Sequence, residues 1–273
     1  VRKEIGSDEI QIILNETELS KSYDYFVLGD WEISPDNTLL AYTIDTSGDE
    51  RYQLKILDLE TMQHKNDVLN DVEGSIVFGG NSREIIYLLL EPDRWHAKEL
   101  KVHLIGEDQA SDETIYLEKD DGFFIDFSLT SDEKYLLVRA TYTDDADTSY
   151  GLNYGYFVYD LLNREYVSTL NELVGGVNSA RDFDITRAEI VGSSNDWSCV
   201  ALVSNKGIEG SRLMMLRSDQ TVLDDLLAFH TELRDVTIEN FKIDRSGRFL
   251  AIQTSNPQLA LDNQPDTNDS SDI

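Results

Sequence analysis

Apolar residues along the chain recur mostly with period two, in short runs rich in Tyr, Phe, Ile, Leu and Val separated by Asp, Asn, Ser and Gly. That alternation predicts strands joined by turns, with few helices. The clearest stretch is Trp31 to Tyr42: a strand ending at Ile33, a Ser34-Pro35-Asp36-Asn37 turn, and a second strand through Leu39, Leu40, Ala41 and Tyr42. Proline presets φ at a turn's first central position, and Asp and Asn tolerate its tight corner. A third strand follows from Tyr52 to Leu59 and breaks at Glu60-Thr61.

The same unit returns with variation. Ser75 to Phe78 leads through Gly79-Gly80-Asn81-Ser82 into Ile85 to Leu88, followed by Leu100 to Leu104. Phe124 to Ser128 leads through Thr130-Ser131-Asp132-Glu133 into Tyr135 to Val138, followed by Tyr156 to Asp160. A weaker copy runs from Asp196-Trp197 through Ala201 to Val203 and Gly207 to Leu213 through Leu216, and a fifth begins at Phe241 to Ile252. With Asp36, Ser82, Asp132, Asp196 and Gly247 as equivalent markers, the unit returns about every 53 residues. Repetition at this spacing predicts an all-β fold, a β-propeller of four-stranded antiparallel blades, with about five blades present. A β-sandwich also has regularly spaced strands, but it has no need of one repeated strand, polar turn, strand unit.

Composition changes the picture in two ways. The 273 residues carry 23 Lys plus Arg against 53 Asp plus Glu, a formal charge of −30. Nucleic acid is therefore excluded as a partner, because phosphate backbones are bound by neutralising them. The charge does not imply disorder, since 40% of residues are apolar and 13 Tyr, 10 Phe and 3 Trp supply large core-forming side chains. The single cysteine, Cys199, leaves no intramolecular disulfide, and no apolar run is long enough to span a bilayer. No membrane partner and a cytoplasmic location, with a periplasmic one left open, are the expectations. The polar stretch 257–273 is expected to be a loop or tail, and the chain to be a piece of a longer protein.

The search for chemistry yields no catalytic, cofactor-binding or metal-binding residue. Gly80-Asn81-Ser82 and Gly192-Ser193-Ser194 each match half of the G-x-S-x-G nucleophile elbow and then place Glu84 and Asp196 where the second glycine belongs, so both read as turn serines. His64, His96, His103 and His230 lack the i, i+4 partner of a helical zinc site, and His103 lies inside an alternating strand, where it is expected to pack or hydrogen bond. Cys199 sits among apolar residues and reads as an inert thiol. The acidic run from Asp144 to Gly151 fails as an EF-hand loop, because a start at Asp145 puts Tyr150 and Tyr156 where Gly and a bidentate acid are required. Glycoside hydrolysis needs two acids placed across a glycosidic bond, and 53 acids make near pairs inevitable by chance.

Several segments in order carry a resemblance. They are Ile13 to Glu16; Tyr25-Phe26 with Gly29 and Ser34 to Asn37; Asp45 to Tyr52; and Leu57 to Thr61. Further along come Leu104-Ile105-Gly106, Tyr116 to Asp121 with Phe123-Phe124, Ser131-Asp132 and Tyr135 to Leu137. Over its first 170 residues or so the chain resembles the propeller domain of the oligopeptidase B (protease II) branch of the prolyl oligopeptidase family of serine peptidases. Beyond that only the blade pattern continues, and Phe78-Gly79-Gly80 stands where the family has a Trp-Ala-like stretch.

The resemblance implies an incomplete propeller over residues 1–273, from a parent with seven blades. It also implies a partner, the parent's own α/β-hydrolase domain with a Ser-Asp-His triad, lying outside this chain. The implied reaction is hydrolysis of short basic peptides after Lys or Arg, with the propeller gating access to the active site and this chain alone inactive. Two other readings stay open: a free-standing TolB-like propeller serving as an interaction platform, and a complete five-bladed carbohydrate-active enzyme. Open sheet faces and edges also leave room for dimerisation of the chain.

Overall fold

The computed structural model describes residues 1–3, 6, 8, 10–93, 96–142, 152–169, 183–193, 196–205, 211–217, 224–225 and 237–254. The expected tail, the acidic run 144–150 and His230 lie outside the described residues. The chain divides into two units, Val1–Ile125 and Asp126–Ile273.

The first unit opens with a small hairpin, β1 (Arg2–Lys3) with β2 (Ile10–Gln11), and the five-residue helix α1 (Glu16–Ser20), whose N-cap Asn15 accepts a hydrogen bond from the Glu18 amide. Seven antiparallel strands follow: β3 (Val27–Ile33), β4 (Leu39–Asp45), β5 (Tyr52–Asp58), β6 (Gln63–Phe78), β7 (Glu84–Leu90), β8 (Ala97–Leu104) and β9 (Glu113–Leu117). They pair in sequence order as one sheet because β6 serves two blades. Its first part, to Val72, pairs with β5, and Ile76 to Phe78 pair with β7. The register breaks between Val72 and Ile76, with Gly74 (φ 131°) inside the break and Asp71 (φ 57°) just before it. The left-handed backbone at Gly74 is one that glycine adopts without steric cost.

Two four-stranded blades result, and they stack face to face. Leu39, Ala41, Leu54, Ile56 and Leu69 of the first meet Ile76, Phe78, Ile85 and Tyr87 of the second in one buried cluster. Leu54 and Ile56 are fully buried, and a side chain of that size contributes about 1.5–3 kcal/mol. β4 is buried at all seven positions, since its other face, Leu40, Tyr42 and Ile44, lies under Ile13, Leu14, Leu19 and Phe26.

β10 (Phe123–Leu129), whose residues from Asp126 on belong to the second unit, forms a third blade with β11 (Tyr135–Tyr142), β12 (Leu152–Asp160) and β13 (Glu165–Thr169). A fourth contains β14 (Phe183–Ser193), β15 (Asp196–Asn205), β16 (Ser211–Arg217) and β17 (Asp224–Asp225). The pair β18 (Asn240–Ile243) and β19 (Leu250–Gln253) begins a fifth. Here the sequence reading needs a correction. It opens the fourth copy at Asp196, yet that residue starts the blade's second strand, and the first is β14, whose charged residues Arg187 and Glu189 broke the apolar alternation.

One turn recurs between the first and second strands of four blades. The amides of Ser34, Gly79, Thr130 and Asp244 donate to the carbonyls of Leu39, Glu84, Tyr135 and Phe249, each five residues on. The fourth residue of each turn is left-handed: Asn37 (φ 61°), Ser82 (φ 55°), Glu133 (φ 59°) and Gly247 (φ 69°). In three of them the first residue's side-chain oxygen also accepts the amide of the sixth: Leu39 to Ser34 at 2.9 Å, Tyr135 to Thr130 at 3.1 Å, and Phe249 to Asp244 at 2.7 Å. The end of the third strand repeats as well. The amides of Leu59, Ile105 and Leu161 donate to the carbonyls of Thr38, Arg83 and Lys134, which ties both ends of each hairpin to the same turn.

Candidate functional site

The half-motif serine Ser82 is the left-handed residue of the second turn, 7% exposed, and its hydroxyl accepts the Asp36 amide at 3.1 Å. It joins two blades and, after Ser34 and Thr38, helps hold the Asp36 carboxyl below its usual range. Of the second half-motif, Ser194 and Asn195 lie outside the described residues. His64 bonds the Tyr42 hydroxyl at 2.6 Å, and burial lowers its pKa and raises that of Tyr42 to about 12. His96 stacks on Phe124 with ring centroids 5.5 Å apart. Cys199 is buried, and burial pushes its thiol up to about 12. Among the described residues, histidine hydrogen bonds go to Tyr42, Asp67 and Asp112, and none goes to a serine or cysteine. No group of three or more His, Cys, Asp and Glu is placed to hold a metal among the described residues, and no helix there is long and apolar enough to cross a membrane.

His103 sits at the centre of a buried polar chain. Nδ1 lies 2.8 Å from Asp112 Oδ1 and Nε2 lies 3.1 Å from Asp67 Oδ1, while the Tyr87 hydroxyl donates to Asp112 Oδ2 at 2.7 Å. Burial, with the Asp112 contact, pushes the Tyr87 phenol up. With its ring 1% exposed, His103 cannot meet a substrate, and the chain of bonds ties β6 to β8 and to the loop before β9. The Asp45 to Tyr52 stretch is likewise organised around one carboxylate. Asp45 is 1% exposed; burial raises its pKa, but the amides of Ser47, Gly48 and Glu50 donate to it and hold it low overall.

Cavities among the described residues are the remaining candidates. The first, of about 400 Å³, lies in the first unit between the N-terminal segment, including Arg2, Ile13 and Leu14, and the blade residues Leu28, Trp31 and Leu40. The second, of about 360 Å³, lies in the second unit between β10 and β14 and is polar. Arg139 grips both oxygens of Asp126 there, with Nη2 at 2.6 Å from Oδ2, and Arg187 Nη2 lies 3.2 Å from Glu189 Oε1. Glu189 is 4% exposed and also accepts the Ser131 amide at 3.0 Å. The sequence reading missed these residues. The available signal was Arg187 and Glu189 two apart within a strand-like run, which places both on one face of a strand.

Four-stranded antiparallel blades repeated around a common turn define the chain as β-propeller in class. Residues 1–161 match the family described as prolyl oligopeptidase, N-terminal β-propeller domain, and the chain belongs to that family. Dipeptidyl aminopeptidase BI of Pseudoxanthomonas mexicana is 30% identical over 133 residues, covering 49% of this chain and 18% of that protein. Protease 2 of Moraxella lacunata is 29% identical over 133 residues, covering 48% of this chain and 19% of that protein.

Among solved structures, oligopeptidase B from Leishmania major superposes with a TM-score of 0.67 at 17% identity, over 89% of this chain and 32% of that one. Oligopeptidase B from Trypanosoma brucei, in a closed form with covalently bound antipain, gives 0.66 at 18%, over 93% and 32%. These likenesses extend the fold through the second unit. The chain spans less than a fifth of the curated relatives it matches.

Proposed function

We propose that the chain is the non-catalytic propeller part of a serine oligopeptidase that hydrolyses short peptides after Lys or Arg. In this reading the nucleophile, histidine and aspartate belong to an α/β-hydrolase domain encoded elsewhere in the same protein. Serine attacks the scissile carbonyl, histidine carries the proton, and backbone amides hold the oxyanion. The propeller caps that site and keeps folded proteins out. The observation that carries the reading is the family match over residues 1–161. It accords with the chain's side chains: the half-motif serine Ser82 is a turn residue, and His103 is sealed. The charge of −30 adds a role in drawing cationic peptides toward the cap by long-range attraction.

The reading frame beyond Ile273 tests the proposal. A G-x-S-x-G elbow followed by Asp and then His supports it, and a stop codon there contradicts it.

A further inference from the structure

The polar cavity between β10 and β14 has hydrogen-bond donors left over. Asp126 spends both oxygens on Arg139, and Glu189 spends one on Arg187 and the other on the Ser131 amide. Arg187 is different. Its guanidinium has five N–H donors, and among the described residues its only hydrogen bond is the one to Glu189. Its Nε is buried with no acceptor, a state that costs stability. Two contacts hold the group in place: the buried Glu189, and the Phe241 ring, whose centroid is 5.7 Å from Cζ. The side chain is 36% exposed and lines the cavity, so the remaining Nη donors face space that a ligand can enter. Ser128 adds an exposed hydroxyl to the same wall.

A guanidinium fixed by stacking and by one buried carboxylate, with its other donors unspent, is prepared for a planar two-oxygen acceptor. We infer that this cavity binds the C-terminal carboxylate of a short peptide, with Arg187 as the anchoring residue. The overall charge of −30 repels a bare anion. A peptide end overcomes this repulsion because its carboxylate meets Arg187 while its last side chains lie against Phe127 and Leu129 in the cavity wall. The pocket rests on second-unit residues alone, and its failure would leave the propeller assignment untouched.

The test is calorimetric titration of the full 273-residue chain with tetra-alanine carrying a free C-terminal carboxylate, with the same peptide as its C-terminal amide, and with acetate. The acid form should bind at least ~10-fold tighter than the amide, the ratio expected for one charge-assisted bidentate contact. It should also outbind acetate, and Arg187→Met should bring the acid form down to the amide's affinity with an unchanged circular dichroism spectrum. Arg187→Lys, which keeps the charge but not the fork, should lose most of the preference. Equal binding of acid and amide, acetate binding as well as the peptide, or no heat from any of the three at millimolar concentration would each overturn the inference. The acid and amide comparison is made on the unaltered chain, so a variant that fails to fold does not rescue it.

Discussion

His103 Nδ1 and Asp112 Oδ1 lie 2.8 Å apart with both side chains 1% exposed, and Asp67 faces the ring's other nitrogen from 3.1 Å. Two carboxylates are thus kept from water by one ring. Replacing the ring without replacing the acids leaves two buried carboxylates each short of a hydrogen-bond partner, and each such loss costs about 1–3 kcal/mol. His103→Leu should therefore lower the urea midpoint far more than removing a buried side chain of similar size elsewhere. The triple change His103→Leu, Asp67→Asn, Asp112→Asn should recover part of the loss. A His103→Leu midpoint within experimental error of the parent would show that the chain of bonds does not hold the two blades together.

The shared turn gives a second prediction with opposite signs at equivalent positions. Glu133 occupies the left-handed position at φ 59°, where a side chain with a Cβ is strained, whereas Gly247 occupies it at φ 69° without cost. The ion pair of Glu133 with Arg245 joins side chains 56% and 72% exposed and is worth little. Glu133→Gly should raise the thermal midpoint, by about 0.5–1 kcal/mol of stability, and Gly247→Ala should lower it by a similar amount. Shifts of the same sign at the two positions would mean that the turns are not equivalent.

Close approach explains a third position. A Cβ built on Gly29 lies 2.6 Å from both Thr43 Oγ1 and the Tyr52 ring, and the same ring lies 3.3 Å from a Cβ built on Gly74. Tyr52 is held between two glycine backbones. Gly29→Ala should cost about 1–3 kcal/mol through overpacking, and Tyr52→Leu in the same chain should return some of it. Chemical denaturation of the single and double variants measures the coupling.

Acid should weaken the strand ends. Asp58 is held at about 2, first by the Thr61 amide, and Asp244 at about 2, first by the Ser246 hydroxyl. Both values are depressed in the folded chain. Their contribution is therefore complete above the ordinary carboxylate range and is lost as pH falls from about 4 to about 2. Asp58→Asn should flatten the fall in thermal midpoint over that window and leave the midpoint's slope near neutrality unchanged. Cys199 titrates in the opposite sense: with its thiol pushed to about 12, it should resist iodoacetamide at pH 8 in the folded chain and react once urea exposes it.

How much of this was legible in the sequence follows from local chemistry. The turn from Ser34 to Leu39 and its relative from Thr130 to Tyr135 write their geometry into Ser, Thr, Pro, Asp and Asn, so the strands on either side were found with their turn. The fourth strands β9 and β13 are short and pass unnoticed, whereas the blade boundary within β6 was legible, since the second copy of the repeat opens at Ser75, just past Gly74. The buried chain at His103 draws on β6, β7, β8 and the loop before β9, and no local pattern joins Asp67 to Asp112. The Arg187 cavity is built the same way, from residues on three strands that sit far apart in sequence.

The proposal as a whole meets its most direct test in catalysis. The measurement is kcat/KM for a short peptide substrate with Arg before the scissile bond, using the protein made from the entire reading frame and, in parallel, the 273-residue chain. The entire protein should cleave it, more slowly as salt screens the acidic propeller, and the chain alone should show no turnover. Turnover by the chain alone, or an entire protein that leaves Arg and Lys peptides intact, would contradict the assignment of this chain as the cap of a basic-residue oligopeptidase.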